Sequence, residues 1–160
     1  MIEIKAKQKI MLSMLETHTG CKFVPANTTK NMPAYPYVSF SVINVNTRKG
    51  TYSQAGSALY MPAQVKYSFT VQSDDDAEAL MLAMSVKDFF EEGKRQALAD
   101  NGIIVADVGG ITPRDNLLTI EYEYRKGLDV TLSFNNIIAE SADTGEISNI
   151  TINDMNIEKE

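Results

Sequence analysis

The sequence predicts an α+β domain in which two main helices pack against a mostly antiparallel sheet. Three observations support this fold class. Two segments carry apolar residues at helical spacing, several others alternate apolar and polar residues as strands do, and successive strand segments follow one another without long crossovers. The predicted order is helix, strand, strand, helix and three further strands. We expect the sheet to be mostly antiparallel, because strands joined by short links pair antiparallel.

The length and composition fit one domain with an ordinary core. The chain has 160 residues, of which 44% are hydrophobic and 22% charged, values typical of globular domains. We expect residues 1–139 to form this domain and residues 140–160 to form a polar C-terminal extension. The apolar runs are shorter than the ~20 residues of a membrane span, and the N-terminus resembles no signal peptide. We therefore expect a cytosolic protein without a membrane partner.

The charge balance argues against a protein that grips nucleic acid. The chain has 15 Lys and Arg against 21 Asp and Glu, a formal net charge of -6. Broad binding to phosphates requires a basic surface, so any contact with DNA is expected to be local or non-adhesive.

An amphipathic helix is predicted over residues 1–17 and is expected to end at Gly20. Its apolar residues recur at helical spacing and are Ile4, Ile10, Met11, Met14 and Leu15. The lysines that lie largely off this stripe are Lys5, Lys7 and Lys9. Residues 24–36 contain prolines and polar residues that favour an irregular connection.

Two strands with one buried face each are predicted next. Residues 38–43 nearly alternate and residues 65–72 alternate cleanly. Residues 44–62 between them are rich in Gly, Ser, Thr and Asn, and we expect a long loop that projects from the body.

The second helix is predicted after the acidic run at residues 74–76, which supplies capping groups. Its core face comprises Ala79, Leu82, Ala83, Val86, Phe89 and Phe90. Gly93 interrupts the helix, Asn101 and Gly102 stop it, and residues 103–105 start a strand. Core filling is the expected role of the methionines in helical segments, which are Met11, Met14, Met81 and Met84.

The last pattern predicts a hairpin from residues 118–124 to residues 128–134. A three-residue loop at Arg125, Lys126 and Gly127 places every apolar pair on one face. One long bent strand preserves the same alternation and stays an alternative.

The candidate chemical groups do not combine into a catalytic, cofactor or metal site. Cys21 and His18 are the only residues of their types, too few for a metal cage or a nucleophile and its base. The turn at Asp107, Val108, Gly109 and Gly110 lacks the remaining residues of a phosphate loop. Glu121 and Glu123 are expected on a solvated strand face. We therefore expect a protein that is not an enzyme and binds no cofactor.

Tyr35, Pro36 and Tyr37 precede a strand and have two interpretations. They form a packing corner, or they form an exposed anchor for a protein partner, because tyrosine is enriched at interfaces. The free edges of the predicted sheet are a second feature that proteins either guard or use for assembly.

The order and spacing of several short segments over residues 1–139 resemble the neck or tail terminator proteins of long-tailed bacteriophages. These segments are PYVSF at 36–40, the helix at 74–90, GI at 102–103, DVG at 107–109, IT at 111–112 and EYRKGLDVTL at 123–132. The resemblance implies a small α+β subunit of a ring, commonly a hexamer, on the head-proximal end of the tail tube. Such a ring stops tube polymerisation and joins the tail to the head connector.

The resemblance also implies partners and a location. The partners are further copies of the chain, the tail tube protein and the head connector protein, with DNA passing through the channel without specific binding. The protein is then part of the virion, assembled in the host cytoplasm. Our hypothesis places nine residues at contacts between subunits or rings: Tyr35, Tyr37, Arg48, Lys49, Asp107, Gly109, Gly110, Arg114 and Asp115.

Three other classes stay open at this stage. A tail tube or head–tail adaptor subunit is the nearest alternative, and a tube subunit polymerises into long cylinders instead of stopping at one ring. A small enzyme requires a nucleophile and a base that the sequence does not offer. A ligand-binding module requires a deep apolar pocket.

Overall fold

The computed structural model describes residues 4–46, 53–55, 58–115 and 123–140. Within these residues the helices are α1 (Ile4–Thr19), α2 (Asp76–Asp88), a π-helical turn (Phe89–Gly93) and α3 (Arg95–Asp100). The strands are β1 (Lys22–Pro25), β2 (Tyr37–Asn46), β3 (Ser53–Ala55), β4 (Ala58–Ser73), β5 (Ile104–Val108), β6 (Thr112–Pro113) and β7 (Tyr124–Glu140).

The strands form one mixed sheet whose main order is β1-β2-β4-β7-β5. β1 pairs with β2 in parallel, and every other pair among the described strands is antiparallel. β3 and β6 are short additions beside β4 and β7. The predicted α+β class with a mostly antiparallel sheet is confirmed.

The ends of α1 and α3 and the start of α2 lie where the sequence predicts, whereas the predicted start of the first helix at residue 1 lies outside the described residues. Gly20 stops α1 in the left-handed region at φ 71°, and its N–H donates to the carbonyl of Glu16 at 2.9 Å. Asp75 caps α2 by accepting hydrogen bonds from the N–H groups of Ala77 and Glu78 at 2.8 and 3.3 Å. Gly102 ends α3 at φ 72°, where a side chain is strained.

The core lies between one face of the sheet and the helices. The buried residues of α1 are Met11 and Leu15, and those of α2 are Ala79, Leu82, Ala83 and Val86. The sheet contributes buried residues from five strands: Phe23, Val38, Phe40, Val65, Tyr67, Phe69, Val71, Val105, Leu128, Val130, Leu132 and Phe134. This face is called the helix-bearing face below, and the opposite side is called the open face.

The predicted hairpin loop at residues 125–127 is wrong. Arg125, Lys126 and Gly127 lie inside β7, where they pair with residues 72, 71 and 70 of β4. A loop at this point would leave those backbone groups of β4 without their partners in the sheet. The alternative of one long strand is therefore found from Tyr124 onward, whereas residues 118–122 lie outside the described residues.

The strands around the predicted projecting loop are longer than expected. β2 continues to Asn46, β3 lies at residues 53–55, and β4 already begins at Ala58, because pairing with neighbouring strands satisfies the backbone of these polar residues. Residues 47–52 and 56–57 lie outside the described residues. β1 was missed altogether, since the prolines around it favour irregular structure. The division into residues 1–139 and 140–160 stays a prediction.

β2 contains a bulge that explains its imperfect alternation. Val42 pairs with Tyr67 and Asn44 pairs with Lys66, so Ile43 is an extra residue in the strand. Val45 then faces the same side of the sheet as Val42, because its partner Val65 belongs to the buried row.

The core-filling prediction is wrong for the two methionines of α2. Met11 is buried and Met14 packs against the core, as predicted. Met81 and Met84 are 71% and 51% exposed. They lie on the side of α2 that faces away from the sheet, where packing against the core does not reach them.

Candidate assembly interface

The open face of the sheet carries a row of polar side chains. The register places residues of β2, β4 and β7 side by side on it: Ser39, Ser41, Asn44, Asn46; Gln64, Lys66, Ser68, Thr70, Gln72; Arg125, Asp129, Thr131, Ser133. None of the described helices packs on this face. The face is therefore lined with hydrogen-bonding groups, of which Ser39 and Gln72 are buried.

Arg114 organises the centre of the open face. Its Nη1 donates to Ser68 Oγ at 2.6 Å and to Thr70 Oγ1 at 3.0 Å. Its Nη2 forms an ion pair with Asp129 Oδ1 at 2.8 Å. The planar guanidinium thereby joins β4 to β7 with three bonds whose directions its rigid shape fixes.

Asp129 is held in its charged form by this cluster. Burial raises the pKa of its carboxyl, but hydrogen bonds from Arg114 and Ser68 and the charges of Arg114 and Lys66 outweigh burial. The pKa of Asp129 is therefore below its usual value. Lys66 Nζ lies 3.7 Å from Asp129 Oδ2, so two cations share one carboxylate.

Gly127 makes room for the arginine. β6 pairs Thr112 with Gly127, and the N–H of Arg114 donates to the carbonyl of Arg125 at 2.8 Å. The side chain of Arg114 then lies across Gly127, where an added Cβ would overlap with its Cδ, Nε and Cζ. A glycine in a strand interior often marks such a close approach.

The predicted turn after β5 is fastened to β7. The N–H of Gly109 donates to the carbonyl of Asp129 at 2.7 Å, and a Cβ on Gly109 would lie 3.0 Å from that oxygen. Gly110 is exposed with open space around it, and Asp107 is exposed on β5. Asp107 and Gly110 are therefore the accessible members of this turn.

Asp115 and Arg125 extend the same network towards the start of β7. Asp115 Oδ1 accepts a hydrogen bond from the N–H of Arg125 at 2.8 Å. Arg125 Nη2 forms an ion pair with Glu123 Oε2 at 2.7 Å, and only 10% of the Glu123 side chain is exposed. The predicted solvated position is therefore wrong for Glu123, because this pairing covers it; Glu121 lies outside the described residues.

The tyrosines around Pro36 combine the two interpretations offered by the sequence. Tyr37 is buried and Tyr35 is 44% exposed. Their rings stack with centroids 5.7 Å apart at an angle of 12°. Tyr37 therefore serves as a packing corner, and it supports a second tyrosine that is accessible to a partner.

The structure brings together some of the predicted contact residues. Gly109, Arg114 and Asp115 surround β7, where all three are engaged within the chain. Tyr35 and Tyr37 stack at the start of β2, where Tyr37 pairs with Gln72, the partner of Arg125 in β7. Arg48 and Lys49 lie outside the described residues. The interface role of all nine residues stays a prediction.

Cys21 packs against the core, whereas His18 is exposed and makes one ring contact. His18 contacts the ring of Phe89 at a centroid distance of 5.5 Å, and burial and then the charge of Glu78 raise the pKa of the Cys21 thiol. A raised pKa reduces the thiolate population that a nucleophile requires.

An open groove of about 500 Å³ lies between α1 and α3. Its lining is Ser13, Met14, Thr17, His18, Lys94 and Ala97, a mixed set that differs from a deep apolar ligand pocket. The described part of the chain contains no group of three or more His, Cys, Asp or Glu arranged to hold a metal ion. None of its helices is long and apolar enough to span a membrane.

Comparison with known proteins identifies the family. A search of curated protein sequences finds no match to the chain. A family model described as phage neck terminator protein matches residues 8–159, which includes most of α1, the described strands and nearly all of the predicted C-terminal extension. The match covers far more than half of the chain, and the chain therefore belongs to the phage neck terminator family.

Proposed function

We propose that the chain forms a closed ring on the head-proximal end of the phage tail tube, where it stops tube polymerisation and joins the tail to the head connector. The observation that carries this proposal is the family match over residues 8–159. Membership makes the chain a structural component of the virion neck, and a structural family agrees with the prediction of a protein without catalytic activity.

The fold supports a subunit that repeats around an axis. A closed ring requires heterologous contacts, in which two different surfaces of each copy meet. Among the described strands the main order of the sheet ends at β1 and β5, and the sheet has distinct helix-bearing and open faces. A hexamer is the proposed state, assembled in the host cytoplasm from copies of this one chain before it meets its tube and connector partners.

DNA passes through the proposed channel without specific binding. The net charge of -6 supports this part of the proposal, because acidic side chains towards the channel repel phosphates and prevent adhesion. Arg48 and Lys49 are proposed at the contact with a neighbouring subunit or ring, together with the exposed Asp107, Gly110 and Tyr35.

Electron microscopy of the purified protein tests the function. We expect single rings at high concentration, and we expect rings bound to one end of tail tubes when tubes are added. Long cylinders formed by the protein alone would instead identify a tube subunit. Rings that bind connectors but not tubes would identify a head–tail adaptor. Monomers that ignore both tubes and connectors would contradict the proposal.

A further inference from the structure

The strands at the two ends of the main sheet order are the places where a second copy could extend the sheet. Among the described strands these are β1 and β5. An edge strand presents backbone N–H and C=O groups with which a strand of another copy can pair. Pairing of the β1 edge of one copy with the β5 edge of the next would join two different surfaces, so it would repeat from copy to copy. The hydrogen bonds around each edge therefore bear on how copies meet.

Within its four residues, the outer edge of β1 offers no N–H group to a partner strand. The N–H of Ala26 donates to the carbonyl of Phe40 in β2 at 2.8 Å. Because alternate residues of an edge strand face its neighbour, Phe23 and Pro25 face away from β2. The N–H of Phe23 donates to Glu16 Oε1 at 3.2 Å, and proline has no N–H. A carboxylate of α1 thus occupies the one outward donor of β1.

The two ends of the β1 edge are occupied as well. The carbonyl of Pro25 accepts a hydrogen bond from the N–H of Thr28 at 3.0 Å. Just before the strand, the N–H of Cys21 donates to Thr19 Oγ1 at 3.3 Å. Lys22 is exposed on β1, and lysine is a residue with which proteins protect edge strands.

The outer edge of β5 is occupied by an arginine. The N–H of Gly109 donates to the carbonyl of Asp129 in β7, and alternation across the bulge before Asp107 turns Val105 away from β7. The carbonyl of Val105 accepts a hydrogen bond from Arg95 Nη2 at 3.1 Å. The guanidinium of Arg95 therefore lies where the N–H of a partner strand would donate.

Two further features protect the β5 edge. The N–H of Ile103, just before the strand, donates to the carbonyl of Leu98 at 2.9 Å. The bulge between Val105 and Asp107 interrupts the regular spacing that a partner strand requires. Asp107 is also exposed, and a charge on an edge strand opposes pairing.

We propose that Glu16 and Arg95 are edge guards, which keep copies of the chain from joining their sheets by strand pairing. Each guard belongs to the helix that precedes its edge strand, Glu16 to α1 before β1 and Arg95 to α3 before β5. Continuation of the sheet is blocked at both ends, and copies meet through side chains instead. The inference goes beyond the proposed ring, because the guards act within a single copy.

The test removes one guard at a time. Glu16→Ala together with Pro25→Ala opens the β1 edge, because the first change frees one N–H and the second restores another. Arg95→Ala opens the β5 edge, and the combined variant opens both. Glu16→Gln and Arg95→Lys retain an acceptor and a donor at the same positions. Thr17→Ala and Gln96→Ala are neighbouring controls, because these side chains bond within their own helices.

Separate measurements report size, folding and the edge itself. Sedimentation gives the size of each protein relative to wild type, and electron microscopy shows the shape of the assemblies. Circular dichroism confirms folding, and Glu16→Ser with Arg95→Ser provides a second pair where an alanine variant does not fold. Hydrogen exchange of the Phe23 N–H reports whether this group is bonded.

We expect both single-edge variants to form larger assemblies than wild type and the combined variant to form long polymers. The two conservative variants and the two neighbouring controls should keep the wild-type size. In the dilute variant with an open β1 edge, exchange of the Phe23 N–H is expected to be about tenfold faster, as for loss of a hydrogen bond to a charged group. In the polymers this exchange slows again, because a partner strand protects the group.

The other outcomes overturn the inference. A folded combined variant with fast exchange at Phe23 and the wild-type size shows that the open edges do not pair. Polymers in which this exchange stays fast are joined by other surfaces. Equal growth of the conservative variants or the neighbouring controls would exclude the two bonds as the cause. Loss of the wild-type assembly on removal of either guard would mean that these side chains hold copies together.

Failure of the proposed function is distinguishable from failure of the edge guards. A wild type that forms no ring, with or without tubes, contradicts the function alone. The guard variants are compared with the wild type in whatever state it has, so their result stands by itself.

Discussion

Arg114 lies across Gly127 on the open face of the sheet, so the side chain of Arg114 fills the space that a side chain at position 127 would need. The consequence is a specific requirement for glycine in the middle of a 17-residue strand, a position where glycine alone would weaken the sheet. Arg114 compensates by bonding residues of two neighbouring strands.

Gly127→Ala is expected to destabilise the protein by about 1–3 kcal/mol, the usual cost of overpacking. The added Cβ forces Arg114 away from Ser68, Thr70 and Asp129. Urea unfolding measures the change in the free energy of unfolding. Gly110→Ala is the control, because its Cβ meets no atom within 4 Å; equal effects of the two substitutions would contradict the explanation.

The cost of Gly127→Ala is expected to depend on Arg114. In an Arg114→Ala background the space over residue 127 is empty, so the alanine is expected to cost close to nothing. A double-mutant cycle measures this coupling, which we expect to be about 1–3 kcal/mol for residues in direct contact. Additive effects would show that the two residues do not restrict each other.

The stability contributed by Asp129 is expected to disappear in acid. A carboxyl whose pKa is lower in the folded state stabilises that state above its unfolded pKa, here the usual value of 3.8. The contribution is lost as the pH falls through the lower pKa of the folded protein. The difference in free energy of unfolding between wild type and Asp129→Asn should therefore shrink as the pH falls below about 4.

Urea titrations between neutral pH and the acid limit of folding measure this difference. Asp107→Asn is the control, because Asp107 is exposed and occupies a different position on the open face. A difference for Asp129→Asn that is constant over the whole pH range would contradict the ion pair with Arg114 as its source.

Charge reversal at Arg48 and Lys49 is expected to abolish ring formation or tail joining, because the double substitution to glutamate turns attraction at the proposed contact into repulsion. Electron microscopy of rings and of ring-capped tubes measures both steps. Lys5→Glu with Lys9→Glu changes the net charge equally on the exposed side of α1 and should leave both steps intact. Normal rings and normal joining in the Arg48 and Lys49 variant would remove this segment from the interface.

The helices were predictable because their ends depend on nearby residues. Asp75 caps α2 through residues 77 and 78, and Gly20 ends α1 through a bond to Glu16. Each of these contacts spans a few residues, so the sequence contains all of it. The buried faces of β4 and β7 were predictable for a similar reason, since alternation is a local pattern.

The errors concern contacts between residues far apart in the chain. Residues 125–127 have the composition of a turn, and only their pairing with β4 makes them a strand. The Arg114 cluster joins residues 68, 114 and 129, whose proximity no local pattern indicates. The exposure of Met81 and Met84 did have a signal, because the apolar residues of α2 exceed those one buried face can hold.

The bulge at Ile43 has a consequence for how relatives of this chain can change. The bulge places Val42 and Val45 on one side of β2 and Asn44 and Asn46 on the other. In a regular strand, where alternate residues face opposite sides, Val42 would share a side with Asn44 and Asn46. Loss of a residue after the bulge, such as Asn44, would turn Val45 towards the open face and Asn46 towards the helix-bearing face. Loss of Ile43 itself would remove only the extra residue and leave Val42, Asn44, Val45 and Asn46 on their present sides. The chain length is therefore constrained after the bulge and tolerant at the bulge.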